Sequence, residues 1–203
     1  LAEESGLILP IGAWVLQQAC RDCSGWQKLG SARIPVSVNI SSIQMKNRDF
    51  MADLDDILAN TPLEPQLLQL ELTESVFVDN VTNVSATLQK LRDKGVKVAL
   101  DDFGTGYSSL NYLKCLPLDV LKVDKTFIKD LRKNETEKAI ASTIISLAHI
   151  LNLLVVAEGV ETEQQFEYLK SIGCNIVQGF LLSKPIDNAA LMKFIREFRY
   201  PQP

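Results

Sequence analysis

One alternation runs the length of the chain: a short apolar segment of strand character, then a longer segment with helical periodicity, then another strand. Six segments read as strands, at 35–40, 67–72, 96–101, 119–124, 153–158 and 175–179, and most are β-branched or leucine-rich and apolar throughout. Strands that are apolar on both faces have to be covered on both faces, which is the condition of a parallel sheet flanked by helices. The intervening stretches supply those helices. Pro10 suits the first turn of a helix running to about Leu29, with Ile11, Trp14, Val15, Ala19 and Trp26 on its apolar side. Phe50, Leu54, Ile57 and Leu58 form the next apolar stripe, and Ile140, Ile144, Leu147 and Leu151 a later one. Between them, Val81, Val84, Leu88 and Leu91 form a stripe that Gly95 is placed to stop. Thr162 and Gln165 have capping-box spacing ahead of Phe166 and Leu169. Asp187 is placed to cap a last helix carrying Leu191, Phe194, Ile195 and Phe198, and only a short helix fits between Ser108 and Leu116.

Repeated βα units leave two main architectures, an open doubly wound sheet or a closed (β/α)8 barrel. Neither a GxGxxG turn nor a Walker loop follows the first strand, which weakens the nucleotide-fold option. With 203 residues, 46% of them hydrophobic, the chain is long enough for one sizeable core and short for two. It carries no linker, low-complexity segment or tandem repeat, so residues 1–203 read as a single domain.

The polar residues favour the barrel. Each strand carries one near its C-terminal end: Asn39, then Glu71, then Asp101 and Asp102, then Lys122 and Asp124, then Glu158 with Glu161, and last Gln178. An unpaired buried charge costs several kcal/mol, so apolar strands rarely carry charge without a reason. The shared layout places a ring of oxygen and nitrogen groups at one mouth, where barrel active sites lie. Alternation puts Lys122 and Asp124 on one face, as it does Asn39 with Ser41 and Glu71 with Thr73, whereas Glu74 has the opposite parity and reads as a supporting residue. The run Asp101-Asp102-Phe103-Gly104-Thr105-Gly106 delivers two carboxylates to a glycine-rich turn that is free to close over a ligand. The candidate donor set is one amide and four carboxylates, with no thiolate or imidazole. Hard oxygen donors of this kind favour Mg²⁺ or Mn²⁺, and the mutual repulsion of the acids makes two ions sharing a bridging carboxylate the expectation.

Other chemistries find less support. Cys20 and Cys23 have CxxC spacing, but they sit in a helical pattern and no second CxxC follows, so a four-ligand zinc site is not expected. Cys115 and Cys174 complete the thiols, which fit a reduced cytoplasm better. His149 is the sole histidine and lies in a helical pattern. The net charge of −4 argues against a DNA or RNA polymer as partner. No apolar run is long enough to span a bilayer and no signal peptide is visible, so no membrane contact is expected from this region. The chain begins at Leu1 without an initiator Met, so what precedes it stays open.

The sequence resembles the EAL family of cyclic-di-GMP phosphodiesterase domains. The matching pieces are Asn39-Ile40-Ser41, Glu71-Leu72-Thr73-Glu74, Asp101-Asp102-Phe103-Gly104-Thr105-Gly106, Lys122-Val123-Asp124, Glu158-Gly159-Val160-Glu161 and Gln178-Gly179-Phe180 with Pro185. They occur in the family's order and spacing across essentially the whole chain. The resemblance implies a modified (β/α)8 TIM-like barrel with one antiparallel strand, of which about six of eight strands lie in these residues. It implies hydrolysis of cyclic di-GMP to linear pGpG with two Mg²⁺ or Mn²⁺ ions. On that likeness Asn39, Glu71 and Asp101 ligate the first ion, and Asp101 bridges to a second that Asp102 and Glu158 complete. Glu158 is also the implied general base, and Lys122 orients the attacking water or the phosphate. Glu74, with Glu161, supports the loops, and Glu74 ties down the Asp102–Ser109 loop that in the family couples metal binding to dimerisation. Gln178, Phe180, Pro185 and Asp124 fall on the substrate side. The implied partners are cyclic di-GMP, a second copy of the chain in a homodimer, and other signalling domains of the same polypeptide, in the cytoplasm.

One departure stands out: the Glu-Ala-Leu run that names the family does not occur, and Leu1–Ile8 match the stretch just after it. The expectation is a barrel short of two N-terminal strands, one metal-ligand glutamate and a substrate-binding arginine. These residues alone are then expected to turn over poorly and to associate through open sheet edges. Besides the enzyme, three readings compete: a catalytically dead cyclic-di-GMP receptor, a scaffold or dimerisation domain that binds no nucleotide, and another Mg²⁺-dependent barrel enzyme acting on carboxylates. The presence of every visible motif acid favours the phosphodiesterase.

Overall fold

All six strand segments form, and they pair in chain order. In the computed structural model, β1 (Val36–Asn39), β2 (Leu68–Thr73), β3 (Lys97–Phe103), β4 (Val120–Val123), β5 (Leu154–Ala157) and β6 (Ile176–Val177) make one sheet in which every described pairing is parallel. The structure describes residues 1–28, 33–77, 81–104, 110–131 and 135–197. A doubly wound sheet reverses its strand order at a switch point, and this one does not. Right-handed crossovers between strands in unbroken order put the connecting helices on the same face, so the sheet curls as part of a barrel wall.

The helices are α1 (Ile8–Gln27), α2 (Ser42–Lys46), α3 (Phe50–Ala59), α4 (Val81–Asp93), α5 (Leu110–Cys115), α6 (Lys125–Lys129), α7 (Glu135–Ile150), α8 (Glu163–Ser171) and α9 (Asn188–Glu197). Leu29 and Phe198 lie outside the described residues. The short helices α2 and α6 carry too few turns to show a periodicity in the sequence. Their starts are nonetheless encoded, because Ser41 opens α2 with a capping box closed by Gln44, and Asp124 caps α6 through the Thr126 N–H. The Thr162–Gln165 box at α8 forms as its spacing predicts, and Asp187 accepts from the Ala190 N–H at 2.8 Å.

Three helix-to-strand returns share one geometry. After α4, Gly95 at φ +88° donates to the Arg92 carbonyl while Val96 donates to Leu91. After α7, Asn152 at φ +58° donates to His149 and Leu153 to Ala148. After α8, Gly173 at φ +82° donates to Lys170 and Cys174 to Leu169. Each is a Schellman closure that turns the chain by the same amount into the next parallel strand.

The main core lies between the sheet's outer face and these helices, built on Leu70, Leu72, Val98, Leu100, Leu121 and Val155 from the strands and Leu54, Leu88, Leu91, Ile145 and Leu169 from the helices. The first helix corrects an expectation. Ile11, Trp14 and Val15 are exposed, and the buried stripe is Leu16, Cys20 and Cys23, with Ala19 and Trp26 only partly covered. Both stripes have helical spacing, and hydrophobicity alone favoured the larger side chains. Gly12 decides the orientation: a Cβ there would lie 2.0 Å from the Gln44 side chain, so this is the face that approaches α2. None of the described helices is long and apolar enough to cross a membrane.

Candidate functional site

Alternation along each strand divides the sheet in two. Leu70, Leu72, Leu100, Leu121 and Val123 face the helices, while Glu71, Asp101, Lys122 and Glu158 come from the opposite, inner face. Ala99, Val120 and Val156 form a separate small apolar cluster from β3, β4 and β5. It lies two residues before Asp101, Lys122 and Glu158 on each strand, on the same inner face, and makes an apolar floor beneath the charges.

A bulge brings Asp101 and Asp102 to one side. Leu100 pairs with Leu121 and Phe103 with Val123, so three steps along β3 are matched by two along β4. Asp102 takes up the extra residue at φ +53°, a left-handed backbone that Asp tolerates better than most residues. In a regular strand the two carboxylates would project to opposite faces. Here ligand oxygens of Asp101, Asp102 and Glu158 all lie within 4.8 Å of one another.

Lys122 is the hub of the site. Its Nζ lies 2.5 Å from Glu71 Oε2, 2.6 Å from Glu158 Oε1 and 2.9 Å from Asp101 Oδ1, with only 4% of the residue exposed. Burial alone would depress its pKa, but hydrogen bonds to Glu158, Glu71 and Asp101 outweigh that and hold the ammonium above the ordinary lysine value. Burial pushes the Glu158 carboxyl up; the Lys122 hydrogen bond and charge pull against this, and the charges of Asp101 and Glu71 add to it. Asp102 is also pushed up, by burial and then by the charges of Asp101 and Asp124, against the pull of Lys122 and Lys125. Acids pushed up by burial and by one another's charge gain from added positive charge, and the array of hard oxygen donors around them fits a divalent cation.

The other expected residues surround this cluster. Asn39 is the register partner of Glu71 and is exposed on the edge strand. The Glu74 carboxylate accepts from the Gly104 N–H at 2.9 Å, joining the turn after β2 to the loop after β3. Gly104, at φ +96°, has no room for a Cβ, which would meet the Phe127 ring at 2.7 Å. Thr105 to Ser109 of that loop lie outside the described residues. Asp124 is buried, and its carboxylate is spent on the α6 cap; burial would raise its pKa, but the hydrogen bonds from Thr126 and Lys125 bring it below the usual value. Glu161 is exposed, and its backbone N–H is held by Gln165 Oε1 at 2.8 Å.

Gln178, Phe180 and Pro185 are exposed. Their segment is clasped to the loop after β5. Val160 donates to the Gln178 carbonyl, Leu181 donates to the Val160 carbonyl, and a Cβ on Gly179 would lie 2.1 Å from the Val160 oxygen. Lys184 Nζ sits 5.9 Å from the Phe180 ring centroid.

Two contacts go unread in the sequence. Gln165, 5% exposed, not only closes the α8 capping box but donates from Nε2 to the Ile128 carbonyl at 3.1 Å, tying the loop after β5 to α6. Gln69 donates to Glu71 across the inner face. Its signal was parity: it stands two residues before Glu71 on the same side of an otherwise leucine-rich strand.

Comparison with known proteins agrees with this geometry. The family model described as EAL domain matches residues 1–185. The cyclic di-GMP phosphodiesterase NbdA of Pseudomonas aeruginosa is 42% identical over 200 residues, which are 98% of this chain and 26% of that protein. The chain thus spans about a quarter of the length of the curated relatives it matches. Among solved structures, the PaMucR phosphodiesterase in its c-di-GMP complex superposes with a TM-score of 0.89 at 44% identity, covering 94% of this chain and 77% of that one. Klebsiella pneumoniae BlrP1, in a manganese and cyclic di-GMP complex, superposes with a TM-score of 0.78 at 31% identity, covering 93% and 47%.

Proposed function

This chain belongs to the EAL domain family, and from that premise we propose that it hydrolyses cyclic di-GMP to linear pGpG with the help of Mg²⁺ or Mn²⁺. The observation that carries the proposal is the convergence of Asp101, Asp102 and Glu158 on one point beside the buried Lys122. A structural ion pair needs one acid for one lysine, whereas here three acids face Lys122 and a fourth, Asp102, stands beside them.

Asn39, Glu71 and Asp101 would hold one divalent ion, and Asp101, Asp102 and Glu158 a second. Such ions, when bound, polarise the phosphate and stabilise the charge that builds up during in-line attack. Glu158, whose basicity is lifted by burial, accepts a proton from the attacking water. The water oxygen joins phosphorus, the bond to the 3′ oxygen breaks, and that oxygen takes up a proton to leave pGpG. Lys122 keeps the acids in place and sets a fixed positive charge facing the phosphate. Gln178, Phe180 and Pro185 fit guanine contact, with Phe180 offering an exposed ring, and Asp124 shapes the field around Asp102. Glu74 holds the loop after β3 through Gly104, and Glu161 supports the loop after β5. The wider setting we propose is cytoplasmic, as a homodimer within a multidomain signalling protein.

The test is an assay of the full-length protein with cyclic di-GMP and Mn²⁺. Production of pGpG that stops with a chelator and with Glu158→Gln supports the enzyme. Tight binding in Ca²⁺ without hydrolysis in Mn²⁺ supports the receptor reading instead, and absence of both leaves the scaffold.

A further inference from the structure

The inner face of the sheet is not uniform below the acids. Under β3, β4 and β5 it is the apolar cluster of Ala99, Val120 and Val156, whereas under β1 and β2 it is polar, formed by Ser37 and Gln69. An apolar side chain at 69 would continue the floor with no loss of packing logic. Instead a half-buried amide stands there, and its Nε2 donates to two acceptors at once: Ser37 Oγ at 3.0 Å and Glu71 Oε1 at 3.3 Å. Glu71 itself is 6% exposed, and its other oxygen, Oε2, receives Lys122 Nζ at 2.5 Å. The two oxygens of one buried carboxylate are therefore held from different sides, Oε2 by the cation hub and Oε1 by Gln69.

We propose that Gln69 is a positioning residue for Glu71, setting the rotation of its carboxylate so that the acid is presented to a divalent ion in one orientation, with Ser37 fixing Gln69 in turn. The proposal rests on the phosphodiesterase reading above in assigning Glu71 to a metal ion. Chemistry settles the direction of the contact. An ionised carboxylate only accepts, so the amide must turn its NH₂ toward Glu71, and its second hydrogen then needs an acceptor on the far side. The Ser37 hydroxyl on the neighbouring strand is that acceptor. The Ser37–Gln69 register pairing of β1 and β2 puts the two residues side by side on the same face. Partners of this kind, one step removed from the ion, fix ligand geometry, and their loss typically weakens metal binding by roughly 10–100-fold.

The test is Gln69→Leu in the full-length protein, which keeps the volume and removes the donor. Mn²⁺ binding is measured calorimetrically without substrate, alongside the Mn²⁺ dependence of turnover and the melting temperature in chelator. The expected result is Mn²⁺ affinity weakened by about 10-fold or more, with the loss larger in apparent metal affinity than in kcat at saturating Mn²⁺, and the chelated melting temperature close to wild type. Ser37→Ala should weaken Mn²⁺ binding in the same direction, and adding it to Gln69→Leu should produce little further loss. Unchanged Mn²⁺ affinity in Gln69→Leu overturns the proposal. Failure of the wild-type protein to bind Mn²⁺ would refute the metal reading of Glu71 instead. In that event the crystal structure of Gln69→Leu still decides the positioning: a Glu71 carboxylate that turns supports it, and one that stays unmoved overturns it.

Discussion

The Asp102 backbone N–H donates to Asp101 Oδ1 at 3.0 Å, so the second aspartate fixes the carboxylate of the first while its own backbone bends through the left-handed region. This relationship exists because β3 is one residue longer than β4 between their flanking pairs. It brings two neighbouring acids, which a regular strand would separate, to one edge.

Substitutions at Asp102 should therefore separate charge from backbone. Asp102→Asn keeps a residue that accepts positive φ and loses the charge. It should fold, lower cyclic di-GMP turnover by about 100-fold or more, and in chelator raise stability by about 0.5 kcal/mol, because it removes a carboxylate that burial, and then the charges of Asp101 and Asp124, disfavour. The sign follows from its raised pKa. Protonation is favoured by folding, so the ionised form at neutral pH opposes the folded state. Asp102→Val loses the same charge and adds a β-branched strain of about 1–2 kcal/mol. Thermal melts of both variants in EDTA, with turnover assays, check the pair. Equal melting temperatures would show that the bulge does not govern the site.

Lys122→Met should leave Glu71, Asp101 and Glu158 without their shared cation. Breaking a buried pair from one side costs about 3–5 kcal/mol, so the variant should melt well below wild type in chelator. Mn²⁺ should then restore more stability to the variant than it adds to wild type, because the ion supplies the missing charge. Melting curves with and without Mn²⁺ decide this, and an equal increment in both proteins argues against charge compensation.

Gln165→Ala should destabilise by about 1 kcal/mol, since it removes the side-chain half of the α8 capping box and one of the donors to the Ile128 carbonyl, which keeps its backbone partners. The same change frees the backbone of Glu161 and Thr162, next to Glu158. Hydrogen exchange should rise at residues 159–163 before it rises in β4. Unaltered protection there would remove Gln165 as the clasp between α6 and α8.

The four thiols should separate by burial and by pH. Cys115 is exposed and should be the first labelled by a thiol reagent at neutral pH, with Cys20 and Cys23 protected until unfolding. Burial, with the charge of Cys23 adding to it, pushes Cys20 up to about 11 from 9.0. A raised folded pKa gives stability that is complete below the unfolded value and disappears as pH rises through the folded one. Between roughly pH 9 and 11 the protein should lose about 2–3 kcal/mol through this group. Urea denaturation at pH 8 and pH 10.5 should show a smaller alkaline loss in Cys20→Ala than in wild type.

Much of the architecture is legible along the chain because it depends on near neighbours. Gly95 and the Thr162–Gln165 box end and begin helices through contacts within one turn, and the apolar runs at β2 to β5 need no distant partner to declare themselves. The polar residue at each strand end was equally visible, as a charge where burial makes charge costly. What stayed hidden is whatever one strand does to another. The outward turn of Trp14 follows from the approach of α1 to α2, and the bulge at Asp102 and the reach of Lys122 to three acids require an interstrand register that spacing does not contain.

By itself, then, the sequence determined the alternation of strand and helix, the turn chemistry between them, and which residues could carry metal chemistry. The tertiary structure alone decided that Asp101 and Asp102 act together and that Lys122 joins Glu71 to Glu158. The physical reason is range: backbone propensities and helix caps act over three or four residues, whereas the site is assembled across four parallel strands whose relative shift is set by packing against the helical layer.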